Sequence, residues 1–305
     1  MLAIQLASRS EVGGRTNNED HLQHGELGTG WYAALADGAG GHSNGAHAAE
    51  VAVRVAVQQL GQRAGRQPLQ PADLVDSVLN AHDRLNREQL GLRGRQRMHA
   101  TLVLLWIDKA RQQALWSHAG DSRLYLLRHG RVAEVTRDDS VVQGMVDAGL
   151  LDTLQARQHA LWSHAGDSRL YLVRHGRVAE ITRDDSVVQR MVDAGLLDAL
   201  QARQHPQRNQ LLAALGSDEA IEPHGRAPPL TLRDGDAFLL CSDGWHDLLD
   251  ASDIEACLVD ARSADEWLAA MQARVQAAQR PQQDNFSAIA VWVGDPAEVT
   301  RIQNP

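Results

Sequence analysis

The feature that most constrains this chain is a recurrence of short apolar runs, each with an acidic residue at one end and a glycine or amide beside it. Residues 31–36 read as a strand that delivers Asp37, after which Gly38, Gly40 and Gly41 let the backbone turn and approach a ligand closely. Alone, an acid followed by glycines is an ordinary turn signal. The pattern returns where 237–241 leads into Ser242-Asp243-Gly244, and again where Asp284-Asn285 precedes the apolar run 286–291. Near the start, the strand-like 2–7 is followed by Arg15-Thr16-Asn17-Asn18-Glu19-Asp20, an arginine with two adjacent acids. Acid-bearing loops at several strand ends are what a carboxylate metal site requires. With no Cys/His ligand cluster beside them, they select hard cations, Mg²⁺ or Mn²⁺.

Composition removes several alternatives. The formal net charge of −9 argues against a nucleic-acid surface. No apolar run approaches about 18 residues, and the start lacks a basic segment followed by a long apolar one, so neither a membrane span nor a secretory signal is expected. Two cysteines, Cys241 in an expected strand and Cys257 in an expected helix, do not make a disulfide scaffold, and a cytoplasmic location fits. Lys109 is the only lysine and sits in a turn, so no glycine-rich loop ends in the Gly-Lys-Ser/Thr of a nucleotide-binding P-loop.

Helical spacing of apolar residues predicts helices over 45–60 and 71–92, the latter with Pro71 near its start and Leu74, Val78, His82 and Leu85 on one face. Residues 101–107 and 114–119 read as a hairpin, and 124–127 with 132–135 as a second one. Residues 210–215 read as a short helix or strand. Ser252-x-x-Glu255 and Ser263-x-x-Glu266 read as capping boxes. Strands in hairpins with helices inserted between them argue for an α+β layered fold in a single domain, 1–305.

Residues 114–159 are repeated immediately as 160–205, a 46-residue unit that differs only at Leu127/Val173, Val135/Ile181, Gly144/Arg190 and Thr153/Ala199. Two copies do not make a solenoid, so this is a recent tandem duplication or an artefact of assembly. A compact sheet has room for one copy, and the other must be extruded, join a sheet edge or pair with another chain. The short turn at 108–113 favours the first copy, because it closes a local hairpin; against that, the second copy runs directly into His205-Pro206-Gln207-Arg208-Asn209.

Five short motifs, in order, carry a resemblance: Arg15 to Asp20 (Arg-x-x-Asn-Glu-Asp), Asp37 to His42 (Asp-Gly-x-Gly-Gly-His), Gly120 to Arg123 (Gly-Asp-Ser-Arg), Ser242 to Gly244 (Ser-Asp-Gly) and Asp284-Asn285. The chain resembles the metal-dependent protein phosphatases, the PPM or type 2C serine/threonine phosphatases, in their compact bacterial form. The resemblance implies a four-layer α-β-β-α sandwich with two central antiparallel sheets. It also implies hydrolysis of phosphoserine and phosphothreonine by water between two Mn²⁺ or Mg²⁺ ions.

In that resemblance Asp37 bridges both metals, Asp243 and Asp284 bind the first, and Glu19 with the Gly38 carbonyl binds the second. Asp20 orients water, and Arg15 clamps the phosphate with its planar fork. Asp121, or its copy Asp167, matches an acid that helps hold a third metal, although a turn locked by an aspartate is the plain alternative. His42 either protonates the leaving alkoxide or only orders its loop. Two departures stand out: Met98-His99-Ala100-Thr101 replaces a glycine-containing segment, and His246 stands where a smaller or apolar residue is usual, with a surface role expected. The implied partners are phosphorylated proteins, a serine/threonine kinase or its targets, acting on a monomer or, through the extra hairpin, a swapped dimer. The competing readings are a catalytically impaired phosphatase-like binding module and a two-metal hydrolase of small phosphoesters.

Overall fold

The computed structural model describes residues 2–39, 43–92, 97–120, 123–127, 171–174, 177–180, 214–217, 221, 223–225, 229–249, 251–278 and 283–294. His42, Asp121, Asp167, the expected strand 132–135 and all of 206–213 lie outside these described residues. The strands are β1 (Ile4–Glu11), β2 (Asp20–Leu27), β3 (Gly30–Ala39), β4 (His99–Ala100), β5 (Leu102–Asp108), β6 (Gln113–Ala119), β7 (Arg123–Leu127), β8 (Tyr171–Arg174), β9 (Arg177–Glu180), β10 (His224–Gly225), β11 (Leu230–Thr231), β12 (Asp236–Cys241) and β13 (Phe286–Val293). The helices are α1 (Ser43–Ala64), α2 (Pro71–Glu88), α3 (Asp243–His246), α4 (Ala251–Asp260) and α5 (Ala264–Ala277).

Two sheets form. One runs β10-β6-β5-β3-β2, with β11 also on β6 and β4 also on β3; the other runs β1-β13-β12-β7-β8-β9. Period-two alternation divides their side chains between three cores. Ala33 and Leu35 of β3, Val103 and Leu105 of β5, Phe238 and Leu240 of β12, and Ile289 and Val291 of β13 meet between the sheets. The opposite faces pack outward: Ala34, Leu104 and Trp106 meet Val53, Leu60, Leu74 and Leu85 of α1 and α2. Leu239, Ala290 and Trp292 meet Ile254, Trp267, Leu268 and Met271 of α4 and α5. The result is helices, sheet, sheet, helices, the layered α+β arrangement expected.

Among the described residues every strand pair is antiparallel except one. The parallel pair is β7 with β8, in which Leu126 lies opposite Leu172 and Leu127 opposite Val173. Each residue therefore faces its own equivalent in the second copy, one 46-residue repeat away. The first copy supplies β6 and β7 to the two sheets, and the second copy's hairpin β8–β9 extends the sheet edge beyond β7.

Local details refine the reading of elements. Helix α1 is longer than the expected 45–60, and α2 stops at Glu88 rather than residue 92, where Gln89 caps it. Gln70 and Asp73 form a capping box ahead of Pro71. Ser263 caps α5, its hydroxyl accepting from the Glu266 N–H at 3.1 Å, while the Glu266 carboxylate accepts from the Arg262 N–H. Ser252 lies one residue inside α4, which opens at Ala251. Leu215 makes a β-bridge to Ala100. Cys241 and Cys257 are buried free thiols. Among the described residues no helix is long and apolar enough to cross a membrane.

Candidate active site

The expected strand 31–36 ends just before Asp37, but β3 continues through Asp37, Gly38 and Ala39. The extension has a cause. β4 pairs with it, Gly38 against Ala100 and Ala39 against His99. Thr101 then bonds Asp37 twice: its N–H donates to the Asp37 carbonyl (2.8 Å), and its hydroxyl accepts from the Asp37 N–H (2.9 Å). Asp37 is thus held by a ladder rather than by a turn. Asp20, the first residue of β2, lies directly opposite it.

Asp243 opens α3 immediately after β12, and Asp284 sits two residues before β13, so both lie at one end of the second sheet. Asn285 ties that end to the first sheet. Its Nδ2 donates to the carbonyls of Val12 and Asn17, and its Oδ1 accepts from the Glu19 N–H (2.8 Å). Ser242 ties the same ends again, donating to Asp20 Oδ2 (2.9 Å) and accepting from the Ser287 N–H (3.0 Å). Asn285 and Ser242 were visible in the sequence as neighbours of the acids; their work as cross-sheet ties was not.

Two features fit a hard cation. The Glu19 carboxylate and the Gly38 carbonyl converge on the Cα of Gly45: a side-chain carbon there would lie 2.4 Å from Glu19 Oε2 and 2.7 Å from the Gly38 oxygen. Only glycine admits that approach. Asp20 Oδ1 is buried, with no hydrogen-bond partner among the described residues. Burial raises the Asp20 carboxyl, the hydroxyls of Ser287 and Ser242 draw it partly back, and the charges of Asp284 and Glu19 push it up again, to about 6 in all. Carboxylates crowded in this way call for a positive charge. Carboxylate and carbonyl oxygens are the donor set that Mg²⁺ and Mn²⁺ accept. Among the described residues, no three His, Cys, Asp or Glu side chains are gathered tightly enough to hold an ion as they stand.

Arg15 reaches the same acids, its guanidinium 2.5 Å from Asp284 Oδ2, with both side chains partly exposed. Contrary to the expected surface role, His246 is buried: α3 places it in the interior beside Trp245, which packs on Phe286 of β13. A cavity of about 210 Å³, lined by Leu2, Ile4, Trp31, Ile107 and Leu232 among others, lies by the β5–β6 turn, at the Gly30 end of β3 rather than the Asp37 end.

The family description "Protein phosphatase 2C" matches residues 9–285. The chain belongs to the protein phosphatase 2C family. It is 31% identical over 254 residues to the serine/threonine protein phosphatase PstP of Mycobacterium tuberculosis, a match covering 81% of this chain and 37% of PstP. It is 30% identical over 155 residues to the protein phosphatase PhpP of Streptococcus pneumoniae, covering 48% of this chain and 60% of PhpP. The chain therefore spans less than two thirds of the length of these relatives. Among solved structures, the M. tuberculosis PstP/Ppp phosphatase superposes with a TM-score of 0.68 at 25% identity, covering 96% of this chain and 100% of that one. The catalytic domain of PstP in complex with two manganese ions gives a TM-score of 0.66 at 25% identity, covering 97% and 100%.

Proposed function

We propose that this protein phosphatase 2C chain is a metal-dependent protein serine/threonine phosphatase. The observation that carries the reading is that Asp20 stands opposite Asp37 at one end of the first sheet, and that Ser242 and Asn285, the neighbours of Asp243 and Asp284, tie that end to the second sheet. Asp37, Asp243, Asp284, Glu19 and the Gly38 carbonyl would hold two Mn²⁺ or Mg²⁺ ions. Such ions, when bound, lower the pKa of water and offset the charge of a phosphate. The chain's own residues do the rest. Asp20, anchored by Ser242, would orient the water held by those ions. Arg15 offers a fork of donors that matches the phosphate oxygens. Its present partner is a weak competitor, because an exposed ion pair contributes only about 0–1 kcal/mol.

Asp121 or Asp167 as a holder of a third ion, and His42 as a proton donor to the leaving oxygen, belong to this reading on their motifs. Phosphorylated proteins are the proposed substrates, a serine/threonine kinase or its targets among them, and two buried thiols suit a cytoplasmic setting. The test is phosphate release from a phosphothreonine peptide by the full chain with Mn²⁺ and with a chelator. Turnover should require Mn²⁺ and fall to background in Asp37→Asn and Asp243→Asn; turnover that survives the chelator would sink the reading.

A further inference from the structure

A fully buried amide lies at the end of α2, away from the carboxylates. Gln89 has no exposed surface, and its side chain joins three segments that are distant in sequence. Its Oε1 accepts from the Met98 N–H at 2.9 Å, at the approach to β4. Its Nε2 donates to the Gly216 carbonyl at 2.5 Å and to Asn86 Oδ1 at 3.2 Å. Only one orientation of the amide serves both ends, since an N–H needs an acceptor and a carbonyl needs a donor. Arg97 reinforces the arrangement, donating to the Gly216 carbonyl (2.7 Å) and to Asn86 Oδ1 (2.9 Å), and the Gly216 N–H donates to His82 Nδ1 (3.2 Å). Gly216 has a φ of +82°, and a side-chain carbon there would lie 2.6 Å from the Met98 carbonyl. The junction is built for glycine and for a neutral amide.

The junction reaches the active site through main-chain bonds and the hydroxyl of Thr101. Leu215 exchanges two hydrogen bonds with Ala100, its N–H donating at 2.8 Å and its carbonyl accepting at 3.2 Å. Ala100 pairs with Gly38, and the next residue, Thr101, holds Asp37 from both sides.

The geometry points to Gln89 as a positioning residue for the Asp37–Gly38 backbone: it fixes Met98 and Gly216, and through Leu215, Ala100 and Thr101 it sets where the Asp37 carboxylate and Gly38 carbonyl stand. The inference rests on the metal-binding reading of those two residues. A buried, fully bonded amide acts in concert with its neighbours, so removing it loosens the junction as a unit. Groups that orient metal ligands from behind typically cost about 10–100-fold in affinity when lost.

The test compares Gln89→Met, which keeps length and loses all three bonds, Gln89→Glu, which keeps an acceptor for Met98 and loses the donor to Gly216 and Asn86, and Met271→Ala, a core truncation in the opposite helix layer. Three quantities are measured on the full chain: thermal stability, Mn²⁺ affinity by calorimetry, and amide hydrogen exchange over 37–39 and 98–101. Both Gln89 variants should weaken Mn²⁺ binding by about tenfold and speed exchange over those amides by a similar factor. Met271→Ala should leave Mn²⁺ affinity and local exchange unchanged at a matched loss of melting temperature. Unchanged Mn²⁺ affinity in both Gln89 variants, or an equal loss in Met271→Ala, would overturn the proposal. If the parent chain binds no Mn²⁺, the phosphatase reading fails by itself, and the exchange comparison alone decides the coupling: exchange over 37–39 that is unmoved by either Gln89 variant overturns it.

Discussion

The two sheets are assembled by different means. The seven-stranded sheet is largely local: β2 turns directly into β3, and β5 turns through 109–112 into β6. The six-stranded sheet gathers distant parts of the chain: β1 from the start pairs with β13 near the end, then come β12, β7 and a hairpin from the second repeat. Asp20 and Asp37 are therefore placed by a hairpin, whereas Asp243 and Asp284 reach them only once the ends of the chain have met. The described strands of the second copy, β8 and β9, lie at the far edge of the non-local sheet, beyond β7, where they extend an edge without displacing β12 or β13. A sheet tolerates an insertion at its edge because only one neighbour is affected.

The strongest way to break this contrast is to remove the ring that holds the non-local sheet to its partner. Phe238→Ala, fully buried between the sheets, should cost about 3–5 kcal/mol in a denaturant titration. In hydrogen exchange, β1 and β13 should lose protection together while the β2–β3 hairpin keeps more of its own. Equal loss in both would mean that the sheets do not differ in this respect.

The tie between the sheets has its own signature in pH. Asp20 titrates at about 6 in the folded protein against an ordinary value of 3.8, so the folded form holds the proton more tightly. Its stabilising contribution is complete below about pH 4 and is lost as the pH rises through about 6, by up to roughly 3 kcal/mol in the metal-free protein. Chelator-treated Asp20→Asn should lack that slope and melt higher than the parent at pH 7. A parallel pH dependence in both proteins would show that Asp20 is not the group responsible.

Smaller effects test the edge and the mouth of the site. Deleting 160–205 should change stability by about 1 kcal/mol, since loop length enters only logarithmically, and should leave Mn²⁺-dependent turnover intact. An unchanged elution volume would exclude a swapped dimer through the extra hairpin. Arg15→Ala should alter the melting temperature least of all, within the 0–1 kcal/mol expected of an exposed pair, while raising KM for a phosphopeptide.

Much of the site was legible in the order of its motifs, because an acid at the end of an apolar run is a local pattern and the runs are strands. Legibility failed where burial came from elsewhere in the chain. His246 read as a surface residue because nothing in Trp245-His246-Asp247 shows that β13 packs over this one-turn helix. Ser252 and Ser263 carry the same four-residue pattern, yet Ser263 precedes its helix with the extended backbone of a cap and Ser252 falls one residue inside its own. Gln89 gave no signal, since its partners Met98 and Gly216 lie 9 and 127 residues away.

The sequence by itself determined the layered α+β class, the acids proposed for the site and the presence of two near-identical repeats, because strand periodicity and motif order are properties of neighbouring residues. Tertiary structure alone decided that Asp37 stands in a ladder, that the second repeat's hairpin lies parallel to β7 in register with its own copy, and that Asn285 and Ser242 join the sheets. Each of those depends on which distant backbone donors and acceptors meet, and buried polar groups must find such partners wherever the fold brings them.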